Sequence, residues 1–208
     1  MELPTIEEVE QLWDEYHVPP NVREHMKSVA KVAVFLAKKL KEKGIHVDVG
    51  LAERSALLHD LMRSANFDNL DMQKGAPMED VEFWNQMKHK YGNIHHGESA
   101  ADILAEKYPE VADVIKGHIT ENIKDGLPGA GWELKILVYA DARVMHDKIV
   151  SMKERDKDAD KRHGKFYEEL KKSTGIDYKK KARETIHNVE KEIFEKLDIT
   201  PEDVNNID

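Results

Sequence analysis

An all-α fold in a single domain is what the sequence predicts, on three observations. Apolar residues recur every three to four positions in segment after segment, the spacing of a buried helix face. Pro, Gly and Asn sit between those segments, where helices stop and start. No segment shows a convincing strand pattern, and there is no internal repeat or low-complexity run. At 208 residues the chain is long enough to build one sizeable core.

Taken in order, 5–16 reads as a short amphipathic helix with Ile6, Val9, Leu12 and Trp13 at helical spacing, ended by Pro19-Pro20. Asn21 then reads as an N-cap with Glu24 placed for a capping box. The helix over 22–43 has the clearest stripe, Val22, His25, Val29, Val32, Ala33, Leu36 and Leu40, and Gly44 supplies its stop. Asp48 caps the next helix, 49–63, which carries His59 and Asp60. A loop over 64–76, with Asn66, Asn69 and Gly75, leads to a helix at 77–91 that packs Val81, Trp84 and Met87 and ends at Gly92-Asn93. A helix from His96 or Gly97 to Tyr108 follows. Pro109 starts another, burying Val111, Val114, Ile115 and His118. After a loop at 123–131, the helix over 132–152 carries Leu134, Leu137, Val138, Asp141 and Met145 on one face. A highly charged stretch follows at 153–165, and the basic residues of 153–181, interrupted by Glu154, Asp156, Asp158, Asp160, Glu168 and Glu169, read as a solvated face. The last long helix, 178–197, has Ala182, Ile186, Val189, Ile193 and Leu197 as its stripe, and Thr200-Pro201-Glu202 starts a final turn. The expected organisation is an N-terminal helix at 1–20, a helical core at 21–152 and charged C-terminal helices at 153–208 packed on it.

Composition narrows the function. A formal net charge of −9 argues against broad binding to the phosphate backbone of a nucleic acid duplex. With no cysteine, disulfides, thiolate metal sites and thiol nucleophiles are excluded, so any metal must use His and carboxylate ligands. The acidic start of the chain has no apolar signal segment, and the apolar run 136–140 is too short to span a bilayer. A soluble cytoplasmic protein is expected.

The informative residues are polar ones where apolar ones belong. His59-Asp60 interrupts the apolar run Ala56-Leu57-Leu58 and Leu61-Met62. A buried carboxylate costs several kcal/mol unless a charged partner meets it, and a metal ion is one such partner. His25 and His118 lie on the stripes of other helices. Asp141 follows Leu134, Leu137 and Val138 by 7, 4 and 3 residues, at a core position. Several such positions on separate helices point to one shared interior site. On a helix, His59 and Asp60 would point about 100° apart, with room for an ion in the wedge between them. His146-Asp147 is a second His-Asp pair, but it follows Asp141 at a poor offset for the same face.

His25, His59-Asp60 and Asp141, in that order on helices, resemble the H…HD…D signature of the HD-domain metal-dependent phosphohydrolases. The resemblance covers 21–144 and extends to the settings Leu57-Leu58-His59-Asp60-Leu61 and Tyr139-Ala140-Asp141-Ala142-Arg143. It implies an HD-type helical bundle in which His25, His59, Asp60 and Asp141 bind one divalent metal. Some members carry two further histidines that bind a second metal. Here His96, in His96-Gly97-Glu98-Ser99-Ala100-Ala101, and His118, in Lys116-Gly117-His118, resemble those motifs, with His95 a rival to His96. The resemblance thus implies one or two ions of Fe, Mn, Zn, Co, Ni or Mg per chain.

The implied activity is hydrolysis of a phosphoester or phosphoanhydride of a nucleotide or other small phosphorylated metabolite by metal-bound water. Asp60, His96 and His118 are the expected catalytic residues. Arg63, His96 and His118 are the expected substrate contacts, Arg63 as a bidentate phosphate donor. The extra histidines favour a binuclear type such as the dinucleoside tetraphosphate hydrolases. The Gly-Tyr-Pro motif of the cyclic-dinucleotide phosphodiesterases is matched only by Gly126-Leu127-Pro128, at an unconvincing spacing. Two alternatives remain beside the enzyme. One is a non-catalytic metal- and nucleotide-binding signalling module of the same fold, and the other is a helical interaction protein with structural histidines. The oligomeric state is left open.

Overall fold

Thr5 starts the first helix. Its hydroxyl accepts from the Glu8 amide and the Glu8 carboxylate accepts from the Thr5 amide, a complete capping box at the head of α1 (Ile6–Glu15). The computed structural model describes residues 2–67 and 75–207, and the side chains of all of these except 162, 163 and 166. After α1 come α2 (Pro20–Glu42) and α3 (Val49–Leu58), then a 3-10 turn (Arg63–Asn66). They are followed by α4 (Met78–Tyr91), α5 (His96–Leu104), α6 (Pro109–Gly117), α7 (Thr120–Ile123) and α8 (Trp132–Ala142). A minimal hairpin of β1 (Val144–Met145) and β2 (Lys148–Ile149) leads to α9 (Met152–Thr174), α10 (Tyr178–Phe194) and a last 3-10 turn (Pro201–Asn206). The fold is all-α. Among the described residues no helix is long and apolar enough to cross a membrane.

The core is built round α2, which packs most extensively on α3 and then on α8. Met26, Val29, Val32, Ala33, Leu36, Ala37 and Leu40 on its inner face are fully buried. Each of the larger ones contributes about 1.5–3 kcal/mol. Ala33 and Ala37 keep that face low enough for the neighbouring helices to approach. Trp13 anchors α1 by donating its indole N–H to the Leu57 carbonyl at 2.9 Å. A second tie comes from Arg143, which is 2% exposed. Its guanidinium donates to the carbonyls of Val150 (2.7 Å) and Pro201 (3.0 Å), to Asn205 Oδ1 (2.6 Å) and to the Tyr139 hydroxyl. One side chain therefore holds the end of α8, the segment after β2 and the C-terminal turn together.

The structure corrects several local expectations. Asn21 is not the cap of α2. Pro19 takes the cap position and Pro20, whose ring presets the helical φ, is the first helical residue. The helix expected over 49–63 ends at Leu58, so His59 and Asp60 lie in a turn rather than on a regular helix. The helix expected to reach Tyr108 ends at Leu104, and Tyr108 caps α6. Four residues expected as part of a loop or its approach, 120–123, form α7. The helix expected to reach Met152 ends at Ala142. There Arg143 turns its side chain to the carbonyls beyond, and the chain reverses through the β1–β2 hairpin. The charged stretch at 153–165 lies within a 23-residue helix, α9, started by a Ser151–Glu154 capping box. Of the expected 64–76 loop, 68–74 lies outside the described residues.

Candidate metal centre

Four helix ends and one long helix supply the polar residues. His59 is the C-cap of α3 and His118 the C-cap of α6, while His96 opens α5. His25 projects from the second turn of α2, and Asp141 from the last turn of α8. Helix ends suit such a role, because the groups released there from the backbone ladder can fix a side chain.

The histidines are fixed in a shared way. His59 Nδ1 lies 2.8 Å from the Ala56 carbonyl, and His25 Nδ1 lies 2.8 Å from the His146 carbonyl. His118 Nδ1 likewise contacts the Ile115 carbonyl. A carbonyl only accepts, so each Nδ1 is the donor. That leaves Nε2 to face the interior of the site, the arrangement that orients imidazole ligands towards a metal.

Around these nitrogens stand two carboxylates. His25 Nε2 is 3.2 Å from Asp141 Oδ1 and 4.0 Å from Asp60 Oδ2. His59 Nε2 is 3.9 Å from each of the same two oxygens. His25, His59 and Asp60 each offer a ligand atom, and these atoms lie within 4.8 Å of one another. On the other side of Asp60, His96 Nε2 is 3.0 Å from Oδ1. Thus Asp60 presents one oxygen to His25 and His59 and the other to His96. The His118 ring stands edge-on to His59, with centroids 5.4 Å apart, and lies 6.4 Å from the His96 ring.

His96 is held from behind. Its amide donates to Asn66 Oδ1 at 2.7 Å, and Arg63 Nη1 lies 3.0 Å from its Nδ1. His95 is next to it in space as in sequence, but its Nδ1 accepts from the Gly97 amide at 3.1 Å and so caps α5. The structure therefore brings His96, and not His95, into contact with Asp60. Arg63 reaches the edge of the site through His96.

The electrostatics follow from burial against charge. Burial alone would raise both carboxyls, but His59, His96 and Arg63 hold Asp60 well below the usual range. Asp141 is held far below it by the His25 hydrogen bond and by the charges of His59 and His25. Burial pushes His25 down, but Asp141 and Asp60 outweigh it and raise its pKa. Burial and the neighbouring His59 depress His118 to about 4, and burial and Arg63 depress His96. At neutral pH the two carboxylates are ionised and burial keeps His96 and His118 neutral, while His25 holds a proton more readily than either of them.

One atom tests whether a metal fits. His59 Nε2 is fully buried and has no hydrogen-bond partner among the described residues. A buried polar atom left unmatched costs about 1–3 kcal/mol. Its lone pair points to the place where His25 and Asp60 converge. Two imidazoles and a carboxylate are the ligands available to a divalent ion in a chain without cysteine. The donor set fits.

Sequence reasoning missed four contributors. Asn66 orients His96. The His146 carbonyl orients His25, so the second His-Asp pair serves through its backbone, in a hairpin turn where His146 has φ 59°. Arg155, in the stretch expected to be solvated, reaches within 3.9 Å of Asp141. Gly97 is the fourth. A Cβ there would lie 2.8 Å from His118 Cε1 and 3.1 Å from Ile119 Cγ1, so only glycine lets the His118 ring pass α5. Gly97→Ala should displace that ring and cost about 1–3 kcal/mol. Thermal unfolding and metal content of the variant check this: a folded, slightly destabilised protein with less bound metal is the expected result.

Comparison with known proteins places this geometry in a family. The HD domain family model matches residues 22–143, more than half of the chain. The chain belongs to the HD domain family, which points to the metal-dependent phosphohydrolase superfamily and to binding of divalent metals. An uncharacterized protein of Methanocaldococcus jannaschii is 30% identical to it over 165 residues, 73% of this chain and 83% of that protein. No solved structure matches the chain.

Proposed function

We propose that this protein is a metal-dependent phosphohydrolase that cleaves a phosphoester or phosphoanhydride of a small phosphorylated metabolite, a nucleotide foremost. The observation that carries the reading is the buried, unpartnered Nε2 of His59 at the meeting point of His25, Asp60 and Asp141, with a guanidinium close by. In this reading His25, His59, Asp60 and Asp141 hold the first ion, and His96 and His118 with Asp60 hold a second. A divalent ion held there supplies acidity to a bound water and polarises a phosphoryl oxygen.

The rest falls to the chain's own side chains. Asp60, kept ionised by its neighbours, accepts a hydrogen bond from the attacking water and fixes its direction. His118, kept neutral by burial, offers Nε2 to an ion or to a phosphate proton. Arg63 aligns a phosphate through paired donors. The catalytic core in this proposal is 21–152, with 1–20 and 153–208 packed against it, and the protein works in the cytoplasm. The test is release of phosphate from a panel of phosphorylated metabolites, with and without added divalent ions. Turnover that requires the metal supports the reading. Tight nucleotide binding without turnover would make the protein a signalling module instead.

The pH dependence of metal binding has a definite sign. An ion and a proton compete for His25 Nε2, and His25 holds its proton to higher pH than a free imidazole does. Metal affinity should therefore keep rising with pH above the ordinary histidine value of about 6.5, and fall as pH drops through the raised one. Metal titrations between about pH 6 and pH 8 check this; His25→Gln should flatten the slope.

A further inference from the structure

The HD match ends at residue 143, yet a residue beyond it faces the site. Arg155 lies in the first turn and a half of α9. Its Nη2 is 3.9 Å from Asp141 Oδ1, too long for a hydrogen bond, and its Nη1 is 3.5 Å from Asp158 Oδ2. Its Nε is buried and has no hydrogen-bond partner among the described residues. The side chain as a whole keeps 22% exposure, so a ligand in the site mouth can reach it.

The backbone that carries Arg155 is pinned on both sides. Ahead of it, the His146 carbonyl is tied to His25 and the Asp147 carbonyl to Ser28 Oγ at 2.8 Å. Behind it, Arg183 on α10 binds Asp156 Oδ1 (2.8 Å) and Asp160 Oδ1 (2.6 Å), and Lys179 pairs with Asp160. Asp156 and Asp160 are thus drawn to α10 and Glu154 is held by Ser151, which leaves Asp158, at 3.5 Å, as the carboxylate of this stretch beside Arg155. What remains over Asp141 is a permanently charged, weakly hydrated guanidinium with donors to spare. Arg63 stands at the His96 end of the same row of charges, and Arg155 at the Asp141 end.

We propose that Arg155 is a second phosphate-binding residue of this site, taking a phosphate oxygen on the Asp141 side while Arg63 serves the His96 side. A substrate with phosphoryl groups on both sides of the centre, such as a phosphoanhydride, suits that placement better than a lone monoester. The inference rests on the phosphohydrolase reading and narrows its substrate class.

The test is calorimetric titration of inorganic phosphate into the metal-loaded full chain, with metal content measured on each sample. Arg155→Gln should weaken phosphate binding by roughly tenfold or more, since a hydrogen bond between charged groups is lost. Its metal content should be unchanged. Arg155→Lys, which keeps the charge but not the fork, should fall between the variant and the parent, and it guards against a folding defect in the first. Lys153→Gln, which removes an exposed cation two residues away, should bind phosphate like the parent. Unaltered phosphate binding in Arg155→Gln overturns the proposal and leaves the phosphohydrolase reading standing. An equal loss in Lys153→Gln also overturns it, by reducing the effect to general charge. Loss of metal from both Arg155 variants would make the residue a support for Asp141 and overturn it as well. A metal-loaded parent that binds no phosphate overturns this proposal and the reading beneath it together.

Discussion

Asp60→Ala is expected to lose most of its metal and essentially all phosphohydrolase activity. Asp60 faces both halves of the site: one oxygen lies about 4 Å from His25 and His59, and the other meets His96 at 3.0 Å. Partners in the outer shell of a metal site typically cost 10- to 100-fold in affinity or activity when removed, so a direct ligand should cost more than about 100-fold. The loss should not come from unfolding. In the metal-free protein, replacing Asp60 removes a buried charge along with its partners' attraction, and the apolar surroundings of Leu58, Leu61 and Met62 remain intact. His146→Ala is the matched control. His146 is exposed, and the variant keeps the carbonyl that orients His25. Metal analysis and phosphate release should therefore separate the two His-Asp pairs cleanly. Equal metal content and turnover in Asp60→Ala and the parent would remove Asp60 from the site.

His118→Ala is expected to leave about one equivalent of metal bound and to lower kcat sharply. The ring is buried, its Nδ1 is committed to the Ile115 carbonyl, and it stands edge-on to His59 within reach of the same interior space. Its depressed pKa of about 4 keeps Nε2 free of a proton at neutral pH. In two-metal sites the ions sit about 3.5–4 Å apart and clamp the attacking and leaving oxygens, so losing one should affect kcat more than KM. Full retention of metal with a raised KM would instead assign His118 to the substrate. Measuring metal stoichiometry and kinetics on this variant decides between them.

Much of this architecture was legible in the sequence because the core helices carry regular apolar stripes. The inner face of α2, from Val22 to Leu40, is buried as its spacing requires. The candidate site was legible for the opposite reason: His59, His118 and Asp141 stand where the same spacing calls for apolar residues. Helix ends were harder to read. His59 was expected on a continuous helix, but its ring bonds the Ala56 carbonyl as the C-cap of α3, and regular helix stops there. The helix α9 escaped because it has no apolar stripe to betray it. The signal was the Ser151–Glu154 pair, whose capping box the charged surroundings obscured. Nothing in the local pattern marks Arg143 as an interior anchor or places Arg155 beside Asp141. Those contacts join segments that only the tertiary fold brings together.

The central claim is that His25, His59, Asp60 and Asp141 hold one ion between them. Anomalous diffraction from crystals of the metal-loaded protein tests it most directly. The account predicts a peak within about 2.0–2.3 Å of Nε2 of His25, Nε2 of His59 and a carboxylate oxygen of each of Asp60 and Asp141. A fully loaded protein whose metal peak lies away from His59 Nε2 would contradict it.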